Sequence, residues 1–168
     1  MMKTTLFLVL CDFFLPFLLL FLKNKRIRNI VLWVYILCVV FFTIISRFTN
    51  RDYSAIKQTG IVFFYSYSLI DHADIRWQIY ENILMFFPFG FMLPWATEKG
   101  FLKTMLIGCC FSIIIETTQY FFRLGMCEMD DVIHNTLGTA IGFGYWRLLQ
   151  VIKERVKNKT SKNDKAAD

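Results

Sequence analysis

What this sequence lacks narrows its function before anything it contains. Its 168 residues hold no nucleophile elbow, P-loop, HExxH helix or glycine-rich dinucleotide turn, so several common catalytic chemistries have no motif to start from. The five cysteines, Cys11, Cys38, Cys109, Cys110 and Cys127, form no CxxC and no Cys/His set at metal spacing. Neither a structural metal nor a cofactor is expected. Four of the cysteines lie inside apolar runs, where the side chain packs as a small polarizable group. Cys127 falls in a polar connection and is expected to be a free thiol. Net charge is +6, yet the basic residues are not set on a folded face among stacking aromatics. They fall between and after apolar runs, which argues against nucleic acid as a partner. One compact unit is expected, with no room for a second folded domain.

Apolar residues are in excess. They make up 56% of the chain and aromatics 18%, with 19 phenylalanines, whereas soluble domains average about 45–50% apolar. Lipid can serve as the interior of such a chain. A bilayer span needs roughly 20 mostly apolar residues, and five stretches qualify: 5–22, 29–46, 79–96, 102–122 and 132–152. The expected fold class is therefore an all-α integral membrane protein with about five transmembrane helices. The first run is read as a retained helix and not a signal peptide. Its apolar stretch is long, and the basic KNKRIR cluster follows where a cleavage site would stand.

Orientation follows from lysine and arginine. Lys23, Lys25, Arg26 and Arg28 and the tail from Lys153 to Lys165 are basic, which places both inside under the positive-inside rule. With five spans the N-terminus lies outside and the C-terminus inside, a multi-pass arrangement in the cell membrane. The outer segments, Arg47–Gln78 and Arg123–Asp131, then hold Asp52, Asp71, Asp74, Glu128, Asp130 and Asp131. Three regions result: 1–46 with two helices, 47–152 with the outer segment and three helices, and 153–168 as a basic disordered cytoplasmic tail. The outer segment contains GIVFFYSYSLI, apolar enough to lie in the interface as a loop or to lid the outer mouth.

Polar groups are costly in a bilayer, about 2.5–3.5 kcal/mol for a charge at mid-span on insertion scales, so their placement carries information. Ser112, Glu116, Gln119 and Arg123 recur at steps of four, three and four, which puts them on one helical stripe. Asp131, Asn135, Gly138 and Gly142 repeat the same steps. Asp130 or Asp131 would cap that helix and offset its dipole. Gly138 and Gly142 form a GxxxG pair that lets another helix approach. His134 lies on an adjacent face. The 79–96 span brings Asn82 at its outer end and then Pro88, Gly90 and Pro94, and the prolines are expected to break the helix. Asn82, Glu116, Gln119, Arg123, Asp130, Asp131 and Asn135 are thus the ligand-binding candidates, at similar depth in the outer leaflet. Interhelical hydrogen bonding is the alternative role for the same groups. A metal held by Glu116, Asp130, Asp131 and His134 matches no standard spacing. Asp12, with Pro16 one turn on, either joins the cluster or is solvated.

Three motifs in order resemble one family. NILMFFPFGFMLPW (82–95), IIIETTQ (113–119) and DDVIHNTLGTAIG (130–142) resemble the N-x-x-x-F-x-P-x-G, E-x-x-Q and D-D-V-x-x-N-T-x-G-x-x-x-G segments of the VanZ-like family, and FFYSY (63–67) is similar to the stretch before its third helix. The resemblance covers about residues 47–147 and makes 47–152 a VanZ-like core. It implies a bacterial membrane protein of a family associated with teicoplanin resistance and not known as a defined enzyme. It maps onto Asn82, Pro88, Gly90, Glu116, Gln119, Asp131, Asn135 and Gly138. The expected partners are membrane lipid and a lipid-linked wall intermediate or lipoglycopeptide. Acid–base chemistry on a polyprenyl headgroup, or a scaffold role, are the alternatives, and whether any reaction is catalysed stays open.

Overall fold

A computed structural model describes residues 22, 24–45, 47, 61–62, 70–124 and 127–167. Nearly all of the first expected span, with Cys11, Asp12 and Pro16, lies outside these residues, as does most of the outer segment, including Phe63–Tyr67. The described residues form α1 (Lys25–Val40), a π-helical turn (Phe41–Ile45), β1 (Ile61–Val62), α2 (Ala73–Thr97), α3 (Phe101–Phe121), β2 (Cys127–Glu128) and α4 (Met129–Ala167).

α1 starts where the Asn24 side chain accepts a hydrogen bond from the Arg26 amide, 2.9 Å, satisfying one of the donors a helix start leaves open. Leu32, Val39 and Thr43 face inward, while Ile30, Trp33, Val34, Leu37, Phe41 and Phe42 are exposed. An apolar face left outside in this way suits lipid and not water. α2 is the opposite case. From Phe86 to Ala96 every residue is buried, as expected of a central helix surrounded by others. Phe86, Phe89 and Phe111 form a ring cluster with centroids 5.4–5.9 Å apart.

The expected break at the prolines does not occur. α2 runs unbroken through Pro88 and Pro94. Each proline removes one backbone donor, and packing on every side of this helix offsets that loss. It ends at Glu98, whose φ of 60° is left-handed and whose amide bonds the Pro94 carbonyl. Arg28 of α1 closes the same end, donating to the Trp95 carbonyl at 2.8 Å with its guanidinium over the Trp95 ring.

Contacts along the helices fix their directions. Arg28 meets Trp95, and the Tyr35 hydroxyl donates to the Met85 carbonyl, so α1 and α2 are antiparallel. Gln119 donates to the Thr43 carbonyl at 3.1 Å, which sets the end of α3 beside the end of the π turn. α4 lies antiparallel to α3 and parallel to α2. A Cβ on Gly138 would stand 2.2 Å from the Ile83 carbonyl oxygen, and one on Gly142 2.0 Å from that of Phe87. The GxxxG pair is therefore the contact at which α4 reaches the α2 backbone, as the spacing indicated. Thr139, between them, meets α2 at Gly90 and α3 at Gly108.

Two features depart from the sequence reading. β1 and β2 pair in parallel, Ile61 with Cys127 and Val62 with Glu128, where only helices and loops were expected. The segment 153–168, expected to be disordered, continues α4 as helix through Ala167. Beyond Gly144 the helix contains no glycine or proline, and lysine, glutamate and arginine are good helix formers. At about 1.5 Å per residue, α4 is roughly 58 Å long, nearly twice the hydrocarbon thickness of a bilayer. Among the described residues two helices, Lys25–Ile45 and Phe101–Phe121, are long and apolar enough to cross a membrane.

Candidate functional site

The site lies where the C-terminal end of α3, the N-terminal ends of α2 and α4, and the π turn come together. α3 presents one buried stripe, Thr104, Gly108, Ser112, Ile115, Glu116 and Gln119. Its polar members beyond Gly108 are three of the four residues expected on that face. Ser112 accepts from Asn135 Nδ2 of α4 at 2.8 Å. Glu116 Oε2 accepts from the Glu128 amide at 3.1 Å, so this carboxylate ties the first strand residues after α3 back onto the helix. Gln119 anchors the π turn through Thr43.

α4 contributes Asp130, Asp131, His134 and Asn135, exposed by 1%, 7%, 3% and 2%. The two aspartates stand in the first turn, where the helix dipole favours negative charge. Asn135 is held twice, by Ser112 through its side chain and by the Thr139 hydroxyl through its carbonyl, 2.9 Å. α2 adds Asn82, half-buried one position before Ile83. Gln78, one turn earlier, reaches Glu128 Oε2 at 3.5 Å.

Six of the seven sequence candidates therefore meet: Asn82, Glu116, Gln119, Asp130, Asp131 and Asn135. Arg123 does not. α3 ends at Phe121, Arg123 takes a left-handed φ of 53°, and its side chain is exposed. The step of four from Gln119 holds only while the helix continues. Prolines and glycines of the motif are where expected, buried along α2 and its contact with α4. Sequence reasoning missed Glu128, Gln78, Thr43 and Arg47 as members of the site. Arg47 acts electrostatically on Glu116, Glu128 and Asp131. The only sequence signal was the outer placement of Arg47 and Glu128, because their partners lie far along the chain.

Burial decides the electrostatics at the rim. Glu128 is pushed up from the usual carboxylate range by desolvation and then by the charge of Asp130, against the Gln78 hydrogen bond and Arg47. The Cys127 thiol is also raised, first by burial and then by Glu116 and Asp131. Cys127 is a free thiol, as expected, and only 5% exposed, an environment that leaves it unreactive. Among the described residues no three His, Cys, Asp or Glu side chains are grouped to hold a metal ion.

Three polar atoms of the site are buried without a hydrogen-bond partner: Asn82 Nδ2, Asp131 Oδ1 and Asn135 Oδ1. A buried polar group left unpaired costs about 1–3 kcal/mol. All three lie in the first three turns of α2 and α4.

The chain matches the VanZ/LLP1 family model over residues 31–150. That range takes in most of α1, all of α2 and α3, and α4 as far as Gln150. Protein VanZ of Enterococcus faecium is 32% identical over 72 residues, 42% of this chain and 45% of that relative. The chain thus spans less than half the length of the relative it matches. No solved structure matches. Two helices of membrane-crossing length and apolarity among the described residues are features of a membrane protein, and with the family match over residues 31–150 of 168 the chain belongs to the VanZ/LLP1 family.

Proposed function

We propose that this VanZ-like protein sits in the cell membrane as a five-span bundle and binds a cell-envelope headgroup from the outer leaflet. The N-terminus is outside and the C-terminus inside, so the Glu116–Asp131 end of the bundle faces outward. The alternating directions of α1 to α4 support this topology, because Arg28, Trp95 and Glu98 share one end while Thr43, Gln119 and Asp131 share the other. The ligand is a lipid-linked wall intermediate or a lipoglycopeptide, and capture of such a molecule is the route to a contribution to teicoplanin resistance.

One observation carries the reading: Asn82, Asp131 and Asn135 each present a buried, unpartnered polar atom at the same end of the bundle. A bundle held together by interhelical bonds alone would pair these atoms, as it pairs Asn135 Nδ2 with Ser112. The test is envelope-drug sensitivity and ligand crosslinking in cells expressing Glu116→Gln and Asn135→Ala. Loss of both effects, with the protein still folded and inserted, is the expected result. Unchanged sensitivity and unchanged crosslinking in folded variants would remove the proposal.

A further inference from the structure

The proposed outer site has a definite hydrogen-bond inventory. Asp131 Oδ1 and Asn135 Oδ1 lie one turn apart on α4, both on side chains more than nine-tenths buried and both lacking a donor. Carboxylate and amide oxygens of this kind can only accept. Asn82 Nδ2 can only donate, and it lacks an acceptor. Asn82 precedes Ile83, whose carbonyl lies against Gly138, three residues beyond Asn135, so donor and acceptors stand on two helices packed together at this level.

Ligand chemistry points the same way. Glu116, Glu128, Asp130 and Asp131 bring four carboxyl groups to this end, with Arg47 acting on three of them, and Arg123 is exposed. A phosphate or carboxylate offers acceptors and no donor, so it would leave Asp131 Oδ1 and Asn135 Oδ1 unmet. A primary ammonium offers three donors and a positive charge but no acceptor, so it would leave Asn82 Nδ2 unmet. An amine carried beside a hydroxyl meets all three atoms at once.

Resting on the headgroup reading above, we infer that the outer site recognises a vicinal amino alcohol, the unit shared by an amino sugar and an ethanolamine headgroup. The ammonium bonds Asp131 Oδ1 and Asn135 Oδ1, and the neighbouring oxygen accepts from Asn82 Nδ2.

The full chain in phosphatidylglycerol nanodiscs tests this with four soluble probes: glucosamine, ethanolamine, N-acetylglucosamine and inorganic phosphate. A fifth arm adds phosphatidylethanolamine to the disc. Glucosamine and ethanolamine, or phosphatidylethanolamine in the disc, should raise the thermal midpoint, and N-acetylglucosamine and phosphate should not. Response to the sugar alone or to the lipid alone names the source and supports the same chemistry. Asp131→Asn should weaken amine binding about tenfold, the scale of one charge-assisted bond, and Asn82→Ala about fivefold, the scale of one neutral hydrogen bond; Asn82 is half-buried, so its variant keeps the test open if Asp131→Asn fails to fold. Binding of N-acetylglucosamine or phosphate in place of the amines overturns the inference and leaves the headgroup reading intact. Binding of no probe, or amine binding that neither variant weakens, also overturns it, and the headgroup reading then stands or falls on crosslinking in cells.

Discussion

Glu128 shows how burial at a single residue becomes a pH dependence. Desolvation raises its carboxyl above the ordinary range, so the folded protein holds that proton at a pH where the unfolded chain has released it. The resulting stability is complete below the unfolded value, about 4.3, and is lost as pH rises through the higher folded value. Thermal midpoints in detergent should therefore fall as pH rises above about 4.3, and Glu128→Gln should flatten part of that slope. Identical slopes in the two proteins would count against the burial of Glu128. At this scale much of the site was legible in the sequence. Glu116, Gln119, Asp131 and Asn135 announce themselves by steps of three and four in apolar surroundings. Arg123 shares the step but not the helix, since the chain turns left-handed at that residue. Glu128 and Thr43 were hidden because their bonds to Glu116 and Gln119 depend on how the elements dock.

Among elements, the α2–α4 contact carries the most consequence for the site, because it sets Ile83 against Gly138 and Phe87 against Gly142, within a turn or two of Asn82 and Asn135. The backbone at Gly142 is close enough to α2 that no rotamer change could relieve an added side chain. Gly142→Leu should therefore cost more than the usual 1–3 kcal/mol of overpacking, roughly 3 kcal/mol or greater, and should lower the yield of folded protein. Gly144, with nothing near its Cβ position, is the control on the same helix. Gly144→Ala should be neutral or stabilising by up to about 1 kcal/mol, read as a rise in thermal midpoint. Equal losses for the two substitutions would contradict the packing. GxxxG made this contact readable beforehand. The uninterrupted course of α2 was not readable, because proline's cost is local while the burial that offsets it comes from three other helices. Helical continuation past Ile152 was missed for a related reason: low apolar content argues against a packed core, yet it does not oppose a helix already nucleated by the packed turns before it.

For the whole molecule, the sequence told the helical class and the gathering of polar groups at one end. The parallel pairing of Ile61 with Cys127 and Val62 with Glu128 was beyond it, since two residues are too few to show an alternating pattern. That pairing brings the outer segment to the rim of the site, beside the amide that bonds Glu116. The central claim is that this end of the bundle holds a specific headgroup and not bulk lipid. A photo-crosslinking residue placed at Asn82 in growing cells, with the captured molecules identified by mass spectrometry, tests it most directly. A second crosslinker at Ile141, on the exposed face of α4, reports the bulk lipid. The expected result is a headgroup-bearing envelope molecule enriched at Asn82 over Ile141 and lost in Glu116→Gln. The same phospholipid profile at both positions, unchanged by Glu116→Gln, would contradict the account.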